Sequence, residues 1–192
     1  DKFYIEGKTT YREERIFTHN EIYFPSPMKF NDPFDCRLPT ISFEASDKEW
    51  LKYYEKNLGR AKAEQKVREG QHKDPVHQKC SLIRLQQKIF KRGVLCLSEI
   101  PNSILMWAHY ANGYKGFCLQ FDNTDIGAQK IKYTESYPKI NYLLTPEEDQ
   151  IEFTLFTKSS HWSYEKEWRI IEFQNGPGIY TFPKEKITGV IF

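Results

Sequence analysis

Hydrophobic and polar positions follow two different periods along this chain. Short apolar, β-prone runs predict strands at 21–24, 94–97, 116–121, 130–133, 168–173, 179–182 and 187–192. Helical spacing and end signals predict helices from 47 to about 70, over 75–91, over 104–111, and from 146 toward 158. Short strands with helices grouped between them predict an α+β fold built on antiparallel or mixed sheets.

Capping signals locate the ends of several of these elements. Ser46 and Glu49 form a capping box at the start of the first long helix. Thr145 and Pro146 are typical of the N-cap and first turn of a later helix. The polar stretch 45–92 carries no recognisable chemistry, so we interpret it as a helical insertion or cap on a β-rich core.

Length and charge limit the classes of protein to consider. The 192 residues predict a single domain, and the formal net charge of +2 indicates no general attraction to nucleic acid. No apolar run has the length of a membrane helix, and the four cysteines include no C-x-x-C pair, which favours the cytoplasm. Because the chain begins without methionine and ends in an apolar run, we expect a fragment with elements missing at both ends.

The most informative stretch is Trp-Ser-Tyr-Glu-Lys-Glu-Trp-Arg at 162–169. On a strand, Glu165 and Glu167 point to the same face and can converge on one ligand. Unpaired carboxylates are costly to bury, so this pattern predicts a site. An alternative stays open, in which an edge strand carries solvated acids or acids paired with Lys166 and Arg169.

The aromatic helix at 104–111 is a second candidate. His109 and Tyr110 are adjacent polar aromatics that a ligand pocket could use for hydrogen bonding and stacking, whereas Trp107 is predicted to lie in the core. In the earlier segment Phe-Asn-Asp-Pro-Phe-Asp at 30–35, the Asn and Asp residues are interpreted as turn formers; the alternative is that Asp32 and Asp35 are metal ligands.

Five motifs occur in order: FNDPFD at 30–35, LCLS at 95–98, MWAHYA at 106–111, GFCLQF at 116–121 and WSYEKEWR at 162–169. Together they resemble a bacterial domain family of unknown function. The resemblance covers most of the chain apart from the helical arm, and it implies no particular activity.

The order of elements also resembles the ADP-ribosyltransferase fold, whose split β core binds NAD in a cleft. In that superfamily an early Arg or His is followed by a strand ending in Ser, then a helix that supplies Tyr, and a late strand beginning with Glu, often as Glu-x-Glu. Ser98, Tyr110, Glu165 and Glu167 match this order, and Arg12 is a possible match for the early residue.

This resemblance implies roles for individual residues. Glu167 would stabilise the oxocarbenium-like sugar and hold the ribose 2′-hydroxyl, and Glu165 would orient or deprotonate the acceptor. The implied residues for binding NAD, which is a substrate, are Ser98, His109, Tyr110, Arg12 and Asn31. No metal is expected.

Three functions from different classes remain open. The first is an NAD-dependent ADP-ribosyltransferase or NAD glycohydrolase, by analogy a bacterial toxin or phage-defence effector, with an acceptor that the sequence does not identify. The second is a nuclease in which Asp32 or Asp35 and Glu165 hold Mg²⁺ near Lys166. The third is a non-catalytic module that binds a nucleotide or peptide in an aromatic cleft.

Overall fold

The computed structural model describes the backbone of residues 2–5, 8–122, 124, 126–137 and 139–192, and the side chains from residue 14 onward within those ranges. The strands are β1 (Lys2–Ile5), β2 (Lys8–Tyr11), β3 (Glu21–Phe24), β4 (Ile41–Ser42), β5 (Gly93–Ser98), β6 (Cys118–Phe121), β7 (Gln129–Lys130), β8 (Lys132–Thr134), β9 (Ile140–Asn141), β10 (Thr157–Ser159), β11 (Glu167–Glu172), β12 (Gly178–Thr181) and β13 (Ile187–Ile191). The helices are α1 (Arg12–His19), α2 (Asp47–Leu58), α3 (Arg60–Arg68), α4 (Pro75–Phe90), α5 (Ile104–Tyr110) and α6 (Glu147–Phe156).

The central sheet positions the candidate site. Strand β11 runs between β5 and β7 and is antiparallel to both. On the far side of β5, the backbone N–H of Val94 donates to the carbonyl of Pro25 at 2.9 Å, just beyond the end of β3. Strand β3 in turn pairs with β12. Proline cannot donate to a ladder, which explains why β3 ends where Pro25 begins.

The other strand pairs include both antiparallel and parallel ones. Strands β13 and β6 are antiparallel, as are β1 and β2, whereas β10 with β8 and β4 with β9 are parallel. Parallel neighbours need long connections, and α6 supplies one of them between β8 and β10. The α+β class is therefore confirmed, with small antiparallel and parallel sheets among the described residues.

The central core lies between this sheet and helices α4 and α6. Its buried members are Cys36, Leu85, Ile89, Val94, Ile131, Ile151, Leu155 and Phe156. Full burial of one such aliphatic side chain is worth about 1.5–3 kcal/mol. A second cluster of Trp50, Tyr54 and Ala63 holds α2 and α3 together, and Tyr142 packs against both clusters.

Local sequence signals located several element ends, and others differ from the structure. The helix predicted from 47 to 70 is two helices, because Gly59 breaks it with a φ of 81°. The N-cap of α6 is Pro146 without a side-chain hydrogen bond, so the prediction of Thr145 as the cap was wrong. The predicted strand 130–133 is divided between β7 and β8.

Candidate functional site

Strands β5 and β11 bring candidate residues together at their paired ends. Glu167 opens β11 and lies opposite Ser98, the last residue of β5, and Arg169 lies opposite Cys96. Directly opposed residues of an antiparallel pair project from the same face. One face of the sheet therefore presents Glu167 and Arg169 to the interior, where both are buried.

Glu165 reaches the same place by a different route from the one that the sequence predicted. It is the last residue of a 3₁₀ turn, Ser160–Glu165, and does not lie on a strand. Lys166, with a φ of 47°, then takes the left-handed conformation between the turn and β11. The strand-period argument for Glu165 and Glu167 was therefore wrong, but the two carboxylates do converge because the backbone turns at Lys166.

The two carboxylates meet at Lys158 on β10. Its Nζ lies 2.5 Å from Glu165 Oε2, 2.9 Å from Glu167 Oε2 and 3.3 Å from Asp35 Oδ2. None of these four side chains is more than 5% exposed. Burying so many charges is tolerated only because each is paired.

Arg169 completes this group and is fully buried. Its Nε donates to Glu167 Oε1 at 2.6 Å and its Nη2 to Asp35 Oδ2 at 2.6 Å, while Nη1 donates to the carbonyl of Leu155 at 2.6 Å and to Cys36 Sγ at 3.0 Å. The ion cluster is hereafter Asp35, Lys158, Glu165, Glu167 and Arg169.

The alternative interpretation, an edge strand whose acids are solvated or paired with neighbouring cations, is correct only in part. Glu167 is paired with Arg169, as that alternative allowed, but it is buried, and β11 lies between two other strands. Among the residues that the structure describes, these acids are buried and β11 is not an edge strand, so the prediction of solvated acids at a sheet edge is wrong.

The electrostatics of the ion cluster keep Glu167 and Lys158 charged. Burial alone would raise the pKa of Glu167, but Arg169 and Lys158 outweigh it and lower that pKa to about 2. Burial likewise opposes the charge on Lys158, yet Glu167, Asp35 and Glu165 raise its pKa above the ordinary value. Counted as formal charges, the three carboxylates of the ion cluster exceed its two cations by one.

Tyr110 connects the ion cluster to the surface. Its hydroxyl donates to Glu165 Oε1 at 2.7 Å, although the side chain is 51% exposed. Asn31 lies beside it, with Nδ2 3.5 Å from the Tyr110 hydroxyl. Ser98 Oγ donates to the backbone carbonyl of Glu165 at 2.7 Å and so fixes the turn that carries this carboxylate.

The remaining predicted binding residues are less closely integrated. The His109 ring is exposed, with its centroid 6.2 Å from that of Tyr110 and 6.3 Å from that of Trp162. Trp107 was predicted to lie in the core, but helix α5 has no buried residue and the indole N–H donates to the Pro101 carbonyl. Arg12 is the first residue of α1, and its side chain lies outside the described residues.

The two aspartates of the early turn, Asp32 and Asp35, have different structural roles. Asp32 accepts a hydrogen bond from the backbone N–H of Phe34, as expected of a turn former. Asp35 instead joins the ion cluster. In the part of the chain that the structure describes, no group of three or more His, Cys, Asp or Glu residues could hold a metal ion. No described helix is long and apolar enough to cross a membrane.

One of the comparisons with known proteins found a match to part of the chain. Residues 106–155 match the family model of a protein of unknown function, DUF2971. No curated protein and no solved structure matches the chain. The range similar to DUF2971 includes Tyr110 and the core residue Leu155, and it ends before Lys158 and the two glutamates.

Sequence reasoning missed Lys158, the cation at the centre of the ion cluster. The sequence predicts a helix that runs toward 158. In the structure α6 ends at Phe156, and Lys158 lies in β10, which is parallel to β8. The sequence signal is weak, a lysine two residues after the apolar pair Leu155 and Phe156. Arg169 had a stronger signal, because a cation two residues after Glu167 on a strand shares its face.

A cavity of about 540 Å³ lies on the opposite face of the β5–β11 pair. Apolar side chains line most of it, among them Leu97 and Trp168, whereas Ser98, Glu99 and Gln120 are its polar members. The Trp168 indole N–H donates to Glu99 Oε1 at 2.8 Å, which fixes the orientation of the ring. Ser98 thus lines this cavity and also contacts the turn that carries Glu165.

Proposed function

We propose that this protein is an NAD-dependent enzyme of the ADP-ribosyltransferase kind, which breaks the bond between nicotinamide and ribose and passes ADP-ribose to an acceptor. One observation carries the proposal. Ser98 at the end of one strand, Tyr110 on the following helix and Glu167 at the start of the paired strand are all joined, directly or through one residue, to Glu165.

The order and pairing of the elements support this proposal. The ADP-ribosyltransferase resemblance implies a strand ending in Ser, a helix that supplies Tyr and a late strand that begins with Glu. Strand β5 ends at Ser98, α5 contains Tyr110, and β11 begins at Glu167. Strands β5 and β11 pair directly, which accounts for the convergence of residues 69 positions apart.

The carboxylates of the ion cluster suit the cleavage of the bond between nicotinamide and ribose. Loss of nicotinamide gives the ribose oxocarbenium character, and preorganised negative charge in a dry site stabilises such a transition state. Lys158 and Arg169 hold the carboxylates of the ion cluster in place, and Glu165 is connected to the surface through Tyr110. Glu167 contributes through this field, since Arg169 and Lys158 hold both of its oxygens.

The exposed aromatic groups beside the ion cluster provide the binding surface. The half-exposed ring of Tyr110 is available to stack on nicotinamide, and His109 and Asn31 lie next to it with polar groups for ribose hydroxyls. Arg12 remains the candidate for the early NAD-binding residue of the resemblance. A bacterial cytoplasmic toxin or phage-defence effector is the setting that the resemblance favours.

The test is nicotinamide release from NAD by the purified protein, with and without EDTA and with cell lysate as a source of acceptors. We expect release that EDTA does not affect and that falls at least about 100-fold in Glu165→Gln. The control is Glu185→Gln, at an exposed position outside the ion cluster. Its rate of nicotinamide release should match that of the unaltered protein. Absence of release under every condition, or Mg²⁺-dependent cleavage of nucleic acid instead, would overturn the proposal.

A further inference from the structure

The carboxylate of Glu165 has two differently occupied oxygens. Oε2 lies 2.5 Å from the Lys158 ammonium, and Oε1 accepts the Tyr110 hydroxyl proton at 2.7 Å. Glu165 itself is 2% exposed, whereas Tyr110 is 51% exposed. A group approaching from the solvent therefore meets the phenol oxygen before it meets the carboxylate.

The phenol oxygen of Tyr110 can accept a further hydrogen bond from such a group. Its own proton already points to Glu165. Asn31 Nδ2 donates to this oxygen at 3.5 Å, which is long for a hydrogen bond, and the oxygen has a second lone pair for a closer donor. Burial and the neighbouring Glu165 raise the pKa of Tyr110, so the side chain remains a neutral phenol between reactions.

We propose that Tyr110 and Glu165 form a proton relay that deprotonates a hydroxyl acceptor, water or an alcohol, during ADP-ribose transfer. This inference rests on the proposed function and names the acceptor class for it. As the acceptor oxygen bonds to the ribose C1′, the bond to nicotinamide breaks and its electron pair leaves with neutral nicotinamide. The acceptor proton moves to Tyr110 Oη, and the original Tyr110 proton moves to Glu165 Oε1.

Glu167, to which the resemblance gives the stabilisation of the oxocarbenium-like sugar, is unsuited to the role of base. Arg169 binds it through two nitrogens, with Nε 2.6 Å from Oε1 and Nη2 3.1 Å from Oε2, and Lys158 lies 2.9 Å from Oε2. A carboxylate with a pKa lowered to about 2 is a weak base. Glu167 therefore positions Lys158 and, through it, Glu165.

The relay predicts a specific dependence on the acceptor. A hydroxyl must lose its proton to attack, so it needs the relay. Azide is already an anion and needs no base. Removal of the phenol oxygen or of the carboxylate charge should therefore slow transfer to water or methanol and leave transfer to azide much less affected.

The experiment measures nicotinamide release and the ADP-ribose product with water, methanol or sodium azide as acceptor. For Tyr110→Phe and Glu165→Gln we expect kcat with water or methanol to fall about 100-fold or more, with KM for NAD changed less, and azide to restore the rate to within about tenfold of the unaltered protein. Tyr114→Phe is the matched control, because Tyr114 is similarly exposed and its hydroxyl donates only to the Ile104 carbonyl among the described residues.

The outcomes separate the relay from the proposed function. Unimpaired transfer to water by Tyr110→Phe, or a loss that azide does not rescue in a folded variant, would overturn the relay while the enzyme activity stands. Thermal unfolding of each variant identifies the folded ones, and Glu165→Asp provides a second variant that retains the charge and should keep part of the activity. If the unaltered protein releases no nicotinamide with any acceptor, the proposed function and the relay both fail.

Discussion

Lys158 is the residue on which the three buried carboxylates depend. Arg169 contacts Glu167 and Asp35, but Glu165 has no cation other than Lys158 among the described ion pairs. A buried charge without its partner is much more costly than a buried pair, because the desolvation penalty remains and the attraction is lost. The ion cluster is therefore sensitive to the loss of this one cation.

We expect Lys158→Met to lower the free energy of unfolding by about 3–5 kcal/mol, because it leaves Glu165 buried and unpaired. Urea denaturation followed by circular dichroism measures the change. The exposed Lys184→Met is the control and should stay within about 0.5 kcal/mol. Adding Glu165→Gln to Lys158→Met should recover part of the loss, and a double variant no better than the single one would contradict the pairing argument.

Glu167 gives the stability of the protein a predictable acid dependence. Its pKa is lowered from 4.5 to about 2 in the folded protein, so between these values the unfolded chain binds the proton more readily. Stability from Glu167 is fully present above pH 4.5 and is lost as the pH falls toward 2, by about 3 kcal/mol in all.

Urea denaturation at intervals between pH 6 and about pH 2 tests this acid dependence. Glu167→Gln should be less stable at neutral pH and should show a flatter profile through the acid range. The exposed Glu185→Gln should reproduce the profile of the unaltered protein. Equal acid dependence in the unaltered protein and in Glu167→Gln would contradict the lowered pKa.

At the scale of elements, the start of β5 depends on a glycine for its close contacts. A Cβ added at Gly93 would lie 2.5 Å from the Gly176 carbonyl oxygen and 3.1 Å from Phe24 Cβ. Backbone atoms cannot move aside as a flexible side chain can, so we expect Gly93→Ala to destabilise the protein by about 1–3 kcal/mol.

The matched control is Gly178→Ala, also at the start of a strand. Its added Cβ would meet only the Tyr180 ring, at 3.6 Å or more, so the change should stay within about 0.5 kcal/mol. Thermal unfolding of the two variants measures the difference. A tolerated Gly93→Ala would show that the segment around Gly176 yields more readily than the close packing implies.

Elements with local signals were predictable from the sequence, and those set by distant contacts were not. The Ser46 capping box and the Pro25 strand end are encoded within a few residues, and both were confirmed. The strand β10 that carries Lys158 has only three residues and exists through its parallel pairing with β8. No local periodicity specifies such a pairing, so Lys158 could not be placed.

At the scale of the whole molecule, the candidate site also combines features that the sequence predicts with features that depend on distant contacts. Glu165, Glu167, Ser98 and Tyr110 were expected to come together, and they do. What the sequence did not indicate is that the two acids would be buried and that Lys158 would pair with both of them. That depends on the convergence of the early turn, β10 and β11, which are remote from one another in the chain.

The protein has two apolar clusters that should respond separately to mutation. Trp50 and Tyr54 hold α2 and α3, whereas Leu155 lies in the central core beside Val94 of β5. Segments that rest on few buried contacts open independently of the core. We expect Trp50→Ala to raise amide hydrogen exchange in 47–68 and to leave β5 and β11 protected.

Leu155→Ala provides the comparison, because it removes a fully buried side chain whose backbone carbonyl accepts from Arg169. It should cost about 2–5 kcal/mol and raise exchange throughout both clusters, including β5 and β11. Nicotinamide release should persist in Trp50→Ala and fall in Leu155→Ala in parallel with the population of folded protein. Equal loss of protection in β5 and β11 in the Trp50→Ala variant would show instead that Tyr142, which packs against both clusters, makes them a single cooperative unit.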